Sequence, residues 1–166
     1  AKTLAADDLL IVLLSGGASS LLPAPVSGIE LQDKQQTTKL LLRSGATIHE
    51  INAVRKHLSS VKGGQLAAAT PARVASVILS DVIGNDLGTI GSGPTAPDPT
   101  TFREAWNIVE RYGVLKTIPA SVRNRLKMGM EDRAAETPKP RAALFRRVDN
   151  ILIGDNQAAV DAVARA

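Results

Sequence analysis

Residues 9–20 read LLIVLLSGGASS: six apolar residues run without a break into a serine, two glycines, an alanine and two more serines. A continuous apolar run of this length, bounded by turn residues, reads as a strand buried on both faces, as in a parallel sheet. The glycines allow the backbone to turn sharply and to come close to another group. Ser19 and Ser20 add two hydroxyls at once. By itself the stretch is either a strand-to-helix turn or a seat for an anion. A helix starting near Ala18 would aim N–H groups and the positive end of its dipole at a negative group. The spacing is neither GxxxxGK[ST] nor GxGxxG, so it is not a Walker A loop or a dinucleotide fingerprint.

Working outward, Pro23, Pro25 and Gly28 mark a loop, and a helix follows over 31–44 with Gly45 as its stop. Ile48, Ile51, Val54, Leu58 and Val61 then recur at steps of three and four, one face of a helix. His49, Asn52, Lys56 and Ser59 or Ser60 form the opposite, polar face. Gly63-Gly64 interrupts the pattern, and 65–69 is a further helical piece. Val74–Leu79 is a second apolar, β-branched run, ending at Ser80-Asp81. Helices are predicted over 101–112 and 119–128, a polar surface loop over 131–143, and a third strand over 150–153. Gly154-Asp155-Asn156 opens a last helix. Strands alternate with helices, so the class is α/β with a mainly parallel sheet. The opening residues AKTLAADD read as the last turns of a helix, and the final residues carry helical character with no stop signal. The chain is therefore expected to be a piece of a longer protein and an incomplete domain.

The 166 residues suffice for one domain with a real core, and 44% of them are apolar. Aromatics are only 2%, so the core is aliphatic. The net charge of +4 comes from scattered basic residues with almost no aromatics to stack on bases, which argues against nucleic acid. The absence of cysteine excludes disulfides and thiol chemistry and suits a cytoplasm. No apolar stretch reaches the roughly 18 residues of a membrane span.

Ligands of open α/β sheets sit beyond the carboxyl ends of the strands. Three such ends are read here: SGGASS, SDVIGND and GDN. A second constellation is AVRKHLSSVKGG, with Arg55, Lys56 and Lys62 within eight residues and Asn52 four residues before Lys56. Left alone, it is a solvated basic face. The adjoining Gly63-Gly64, at roughly 1 kcal/mol each inside a helix, suggests close backbone approach to a ligand or another segment. The third is LSDVIGNDLGTIGSGPT, where Asp81 stands at a strand end, able to hold Mg²⁺ through oxygen or water, or merely to cap a loop. Ser92-Gly93-Pro94-Thr95 is a rigid, hydroxyl-bearing turn. His49 and His57 have no metal-ligand spacing and are read as structural or surface residues. Glycines, hydroxyls, lysines and a strand-end aspartate together ask for a phosphorylated ligand with a divalent cation.

At these motifs the chain resembles the MOFRL-type (class II) glycerate 2-kinases, a family that older labels sometimes call hydroxypyruvate reductases. The resemblance runs from LLSGGASSLLPAP through INAVRKHLSSVKGG and LSDVIGNDLGTIGSGPTAPDPT, strongly over residues 9–113 and more loosely at NILIGDNQAA. It implies a Rossmann-like N-terminal domain, a smaller C-terminal domain and ATP-dependent phosphorylation of D-glycerate at its 2-hydroxyl in a cleft between them. On this resemblance residues 1–166 are part of the N-terminal domain, the C-terminal domain is absent, and the chain alone is inactive. The implied site has Lys56, Lys62 and Arg55 as catalytic cations and Asp81 as the Mg²⁺ ligand. Ser15, Gly16, Gly17, Ala18, Ser19, Asn52, Ser92, Gly93 and Thr95 are its substrate- or phosphate-binding residues. ATP and Mg²⁺ are the implied cofactors, with cytoplasmic location, no nucleic-acid or membrane partner, and a homodimer as one open assembly. Asn85 stands where the family commonly has aspartate, which leaves Asp81 as the better metal carboxylate.

Two rivals remain open: an NAD(P)H-dependent hydroxypyruvate reductase, and a non-catalytic module that binds an anionic metabolite. The first asks for GxGxxG after a strand and an acidic ribose-binding residue about 20 positions on, and neither is present.

Overall fold

The computed structural model describes residues 1–165. The run Leu9–Leu14 forms β1, and Arg73–Leu79 forms β2 beside it. A third strand, β3 (Val148–Gly154), flanks β2 on its other side. All pairings are parallel, with Leu10 opposite Val74 and Val74 opposite Val148. Parallel strands need crossovers, and helices supply them. Between β1 and β2 lie α1 (Ala18–Leu21), α2 (Leu31–Arg43), α3 (Ile48–His57) and α4 (Gln65–Ala68). Between β2 and β3 lie α5 (Phe102–Arg111) and α6 (Ala120–Met130); α7 (Asn156–Arg165) follows β3. The expected α/β class with a parallel sheet holds. None of the described helices is long and apolar enough to cross a membrane.

Local chemistry sets the helix ends. Thr47 and Glu50 form a reciprocal capping box at the start of α3, and Thr101 and Glu104 do the same for α5. Gly45, at φ 82°, closes α2 as predicted. The apolar pattern after Thr47 extends to Val61, but α3 stops at His57. There the chain turns extended and pairs with the Pro25 segment, Ser60 N–H donating to Ala24 O at 2.9 Å. The predicted helical ending at residues 1–8 is instead a pair of turns, Leu4 N–H to Ala1 O and Asp8 N–H to Ala5 O.

The main core lies among α2, α3, α5 and α6, where Leu41, Val54, Leu58, Phe102, Val122 and Leu126 are almost wholly buried. A smaller cluster of Leu14, Ile78 and Ile90 lies under the carboxyl end of the sheet. This corrects one expectation. β1 is buried on one face only: Leu10, Val12 and Leu14 are covered, whereas Leu9, Ile11 and Leu13 are 56, 60 and 77% exposed. The even-numbered side chains Val12, Leu14 and Ile78 pack with Ala18, Val82, Leu87 and Ile90, whereas the odd-numbered side chains of β1 stand exposed.

A second correction concerns the polar face of α3. Asn52 and Lys56 are buried rather than solvated, against Ser92 and Asp98 of the segment before α5, and His57 is buried beside them under the segment after α6. His57 meets the Ala53 carbonyl at Nδ1 (2.7 Å) and Glu136 at Nε2 (3.2 Å). Glu136 also takes the Phe102 N–H and pairs with Lys139. Desolvation raises the Glu136 carboxyl, but the bonds from His57, Lys139 and Phe102 outweigh it and hold it at about 2. The 131–143 segment, read as a surface loop, is thus pinned, with Thr137 buried.

Lys62 is fully buried and ties three segments together. Its ammonium donates to Ser19 O (2.8 Å), Ser19 Oγ (3.3 Å) and Gly91 O (3.2 Å). Next to it, Gly63 and Gly64 donate their N–H groups to Ser92 O and Gly93 O at 3.0 and 2.7 Å. A Cβ on Gly64 would lie 2.8 Å from the Phe145 ring and 3.0 Å from Ala96 O. The close approach expected of these glycines is therefore to the 91–96 segment. Burial, then the charges of Arg55 and Lys34, lower the Lys62 ammonium to about 7.

Two outcomes follow from this packing. A Cβ on Gly129 in α6 would sit 2.0 to 2.3 Å from the Phe102 ring, which is hemmed by His57 and Arg125. Gly129→Ala should cost about 1–3 kcal/mol of overpacking, more than the roughly 1 kcal/mol gained in helix propensity. A raised denaturation midpoint would contradict this contact. For Lys62, the unfolded chain keeps its proton up to 10.5, whereas the native state releases it from about 7. Native stability should therefore rise with pH across that window, with the full cost of the buried ammonium present below it. Measured against Lys62→Met, the wild type should gain from pH 7 towards pH 10; a pH-independent difference would show that the lysine titrates normally.

Candidate active site

The carboxyl ends of β1 and β2 deliver two loops to one place. After β1, Ser15 and Gly16 lead to Gly17, whose φ of 81° is open to glycine at little cost. After β2, Asp81 follows Ser80 directly. A Cβ on Gly16 would lie 2.7 Å from Asp81 Oδ2, so a side chain at residue 16 would push this carboxylate from its present position over the loop. The helix predicted near Ala18 is present but is a single turn, and the N–H groups of Ala18 and Ser20 bond back to Ser15 O and Gly17 O. Among the described residues, no acceptor takes the N–H of Gly16 or Gly17. A cavity of about 300 Å³ opens here, lined by Ser15, Gly17, Ser19, Asn52, Arg55 and Asp81 among others.

Arg55 is held from behind. Its Nη2 donates to Ser19 O (3.0 Å) and its Nη1 to Asn52 Oδ1 (3.4 Å). Asn52 Oδ1 also accepts from Ser92 Oγ at 3.2 Å, and Ser92 and Ser19 hydroxyls lie 2.7 Å apart. Burial pulls the Arg55 guanidinium below its ordinary value. Two of its five N–H donors are used by the protein; three remain for an anion.

Lys56 lies in an adjoining cavity of about 500 Å³ with Asp86, Gly88, Thr89 and Asn52. Asn52 and Thr89 line both spaces. The Lys56 ammonium pairs with Asp98 at 3.3 Å, and Asp98 is wholly buried. That carboxylate also accepts from Thr100 N–H (3.1 Å), Thr100 Oγ1 (2.7 Å) and Thr137 Oγ1 (2.9 Å). Across the cavity, desolvation raises the Asp86 carboxyl, but hydrogen bonds from Thr89 and the Gly88 N–H, with the Lys56 charge, bring it below its usual value.

Of the residues singled out in the sequence, Ser15, Gly17, Ala18, Ser19, Asn52, Arg55 and Asp81 line one cavity and Lys56 the next, with Gly16 beneath Asp81. Lys62 and Ser92 are buried behind the loop. Gly93 and Thr95 line neither space: Gly93 O takes the Gly64 N–H, and Thr95 bonds Asn150 at 2.6 Å. Asp98 was missed; the only hint was an aspartate between two prolines in PTAPDPT. Among the described residues, no three His, Cys, Asp or Glu side chains gather as a metal cage. Mg²⁺ usually needs only one or two carboxylates beside water and substrate phosphates. Asp81, exposed, in no ion pair among the described residues and lining the same cavity as Ser15, fits that donor set.

Residues 1–127 match the model of a family described as a domain of unknown function, DUF4147. The chain is 45% identical to a glycerate 2-kinase of Pyrococcus horikoshii over 159 residues, 96% of this chain and 36% of that protein. It is 51% identical over 134 residues to an Agrobacterium vitis protein provisionally named hydroxypyruvate reductase, covering 80% of this chain and 29% of that one. A crystal structure of a Thermotoga maritima glycerate kinase superposes with a TM-score of 0.83 at 42% identity, over 96% of this chain and 36% of that one. The chain thus spans about a third of the length of these relatives. They bear out the resemblance to class II glycerate 2-kinases read from SGGASS, VRKHLSSVKGG and LSDVIGND, and the chain belongs to the DUF4147 family.

Proposed function

We propose that this chain supplies the anion seat and the metal carboxylate of a glycerate 2-kinase, as part of its N-terminal Rossmann-like domain. The observation that carries the reading is the shared cavity of the Ser15–Ser19 loop, Arg55 and Asp81. Phosphoryl transfer asks little covalent chemistry of a protein; it asks for positioned cations, N–H donors and a divalent ion. The N–H groups of Gly16 and Gly17 and the free donors of Arg55 suit a carboxylate or phosphate. Asp81 suits Mg²⁺ held jointly with nucleotide phosphates, which would neutralise charge at the transferred group. Lys56, fixed by Asp98, is a compact cation for the transferring phosphoryl group or the glycerate carboxylate. In the reaction the glycerate 2-hydroxyl oxygen bonds to the γ-phosphorus, the bond to the ADP oxygen breaks, and the hydroxyl proton is released. Names among the relatives and the absence of a GxGxxG turn favour this reading over hydride transfer.

The test uses the full-length protein with D-glycerate, ATP and Mg²⁺. ADP release coupled to 2-phosphoglycerate is expected, without NADH oxidation on hydroxypyruvate. Rapid NADH oxidation by pure protein would replace this reading with the reductase, and glycerate binding with no ADP formed would replace it with the anion-binding module.

Lys56→Met should lower turnover by about 10²- to 10³-fold, as for other electrostatic donors to a transition state. Asp81→Asn should in addition raise the Mg²⁺ concentration needed for half-maximal rate. Gly16→Ala, by pushing the Asp81 carboxylate away, should raise the same Mg²⁺ requirement, with little further effect in the double variant. Unchanged Mg²⁺ dependence in folded Asp81→Asn would make that residue a loop cap.

A further inference from the structure

Three lysines of this chain are buried, and only one has a counter-charge. Lys56 faces the buried Asp98. Lys62 and Lys34, 0 and 5% exposed, have none. Both instead line a cavity of about 300 Å³ between α1, α2 and α3, together with Arg55 and Lys39. No carboxylate lines this space, and none of its four cations forms an ion pair among the described residues. Lys34 donates to Pro23 O and Lys62 to Ser19 and Gly91, so each meets backbone dipoles but no negative charge. Buried ammonium groups without a partner are costly, and a chain relieves them by binding an anion or by losing protons.

We infer that the cavity between α1, α2 and α3 is a second anion site, built for a phosphate group, either inorganic or carried as a monoester. Two unused donors on Lys34, the whole ammonium of exposed Lys39, the Gln35 amide and the free side of Arg55 can converge on the phosphate oxygens. Four positive charges favour a dianion over a carboxylate. Burial first and the neighbouring cations next bring Lys34 to about 8 and Lys62 to about 7. Seating an anion there restores the protons. Ser19, Ser20 and Arg55 line this cavity as well as the one with Asp81, so the two spaces flank α1. The inference stands apart from the kinase reading, since it needs neither nucleotide nor Mg²⁺.

The probe is inorganic phosphate, titrated into the full-length protein at pH 8 by calorimetry in two buffers of different ionisation enthalpy, without nucleotide or Mg²⁺. Saturable binding with net proton uptake is expected. Lys34→Met should weaken it about tenfold or more, and rim Lys39→Met, which leaves the core untouched, should weaken it in the same direction. Asp81→Asn should keep it, and Lys34→Met should keep glycerate turnover. Glycerol phosphate binding more tightly than inorganic phosphate identifies a monoester as the ligand; the reverse order identifies free phosphate. Absence of saturable binding, acetate binding as tightly as phosphate, or binding that survives both lysine variants and disappears in Asp81→Asn would overturn the second site.

Discussion

The site depends on the ammonium of Lys62. Three of its hydrogen bonds reach two loops that the chain makes far apart, the turn after β1 at Ser19 and the segment after β2 at Gly91. The ammonium joins α1, a single helical turn, to the body of the protein. Arg55 adds a second bond to the same Ser19 carbonyl, and the Ser19–Ser92–Asn52 hydroxyl and amide chain completes the lock. A four-residue helix has too few internal bonds to persist alone. Its position is therefore a property of α3 and of the residues that follow it.

That arrangement uses positive charge as structural material. Lys62 is buried against dipoles and Lys56 against an aspartate, while Arg55 is backed by a carbonyl and an amide oxygen. Held this way, each cation loses little freedom when an anion arrives, which is what electrostatic preorganisation requires. The glycines serve the same end. Gly16 admits Asp81 above the loop, and Gly63 and Gly64 admit the 92–96 backbone beneath it. A side chain at Gly64 would press on the Ala96 carbonyl and the Phe145 ring, one at Gly63 on Asp98 and Lys56, and one at Gly16 on the Asp81 carboxylate.

Much of this was legible in the chain. Apolar runs ending in Gly, Ser and Asp announce parallel strands whose ends carry ligands, and the meeting of SGGASS with Asp81 follows from β1 lying next to β2. Steps of three and four placed α3. Burial of Lys56 was not legible, because its partner Asp98 lies 42 residues on in a proline-rich segment without periodicity. The same holds for His57 and Glu136, 79 residues apart. The exposed face of β1 was also hidden: a continuous apolar run reads as covered on both sides, and only the packing of segments distant in sequence tells which side is covered. Lys62 read as one member of a basic helical face, whereas α3 ends before it and the chain turns its ammonium inward.

The central claim is that the loop after β1 seats an anion directly facing a metal held by Asp81. Its most direct test is anomalous diffraction from crystals of the full-length protein grown with Mn²⁺ in place of Mg²⁺, a non-hydrolysable ATP analogue and D-glycerate. The account predicts a manganese peak bonded to an Asp81 carboxylate oxygen above Gly16, with a carboxylate or phosphate oxygen within hydrogen-bond distance of the Gly16 or Gly17 N–H. A metal bound away from Asp81, with the Ser15–Ser20 loop bare of any anion, would contradict it.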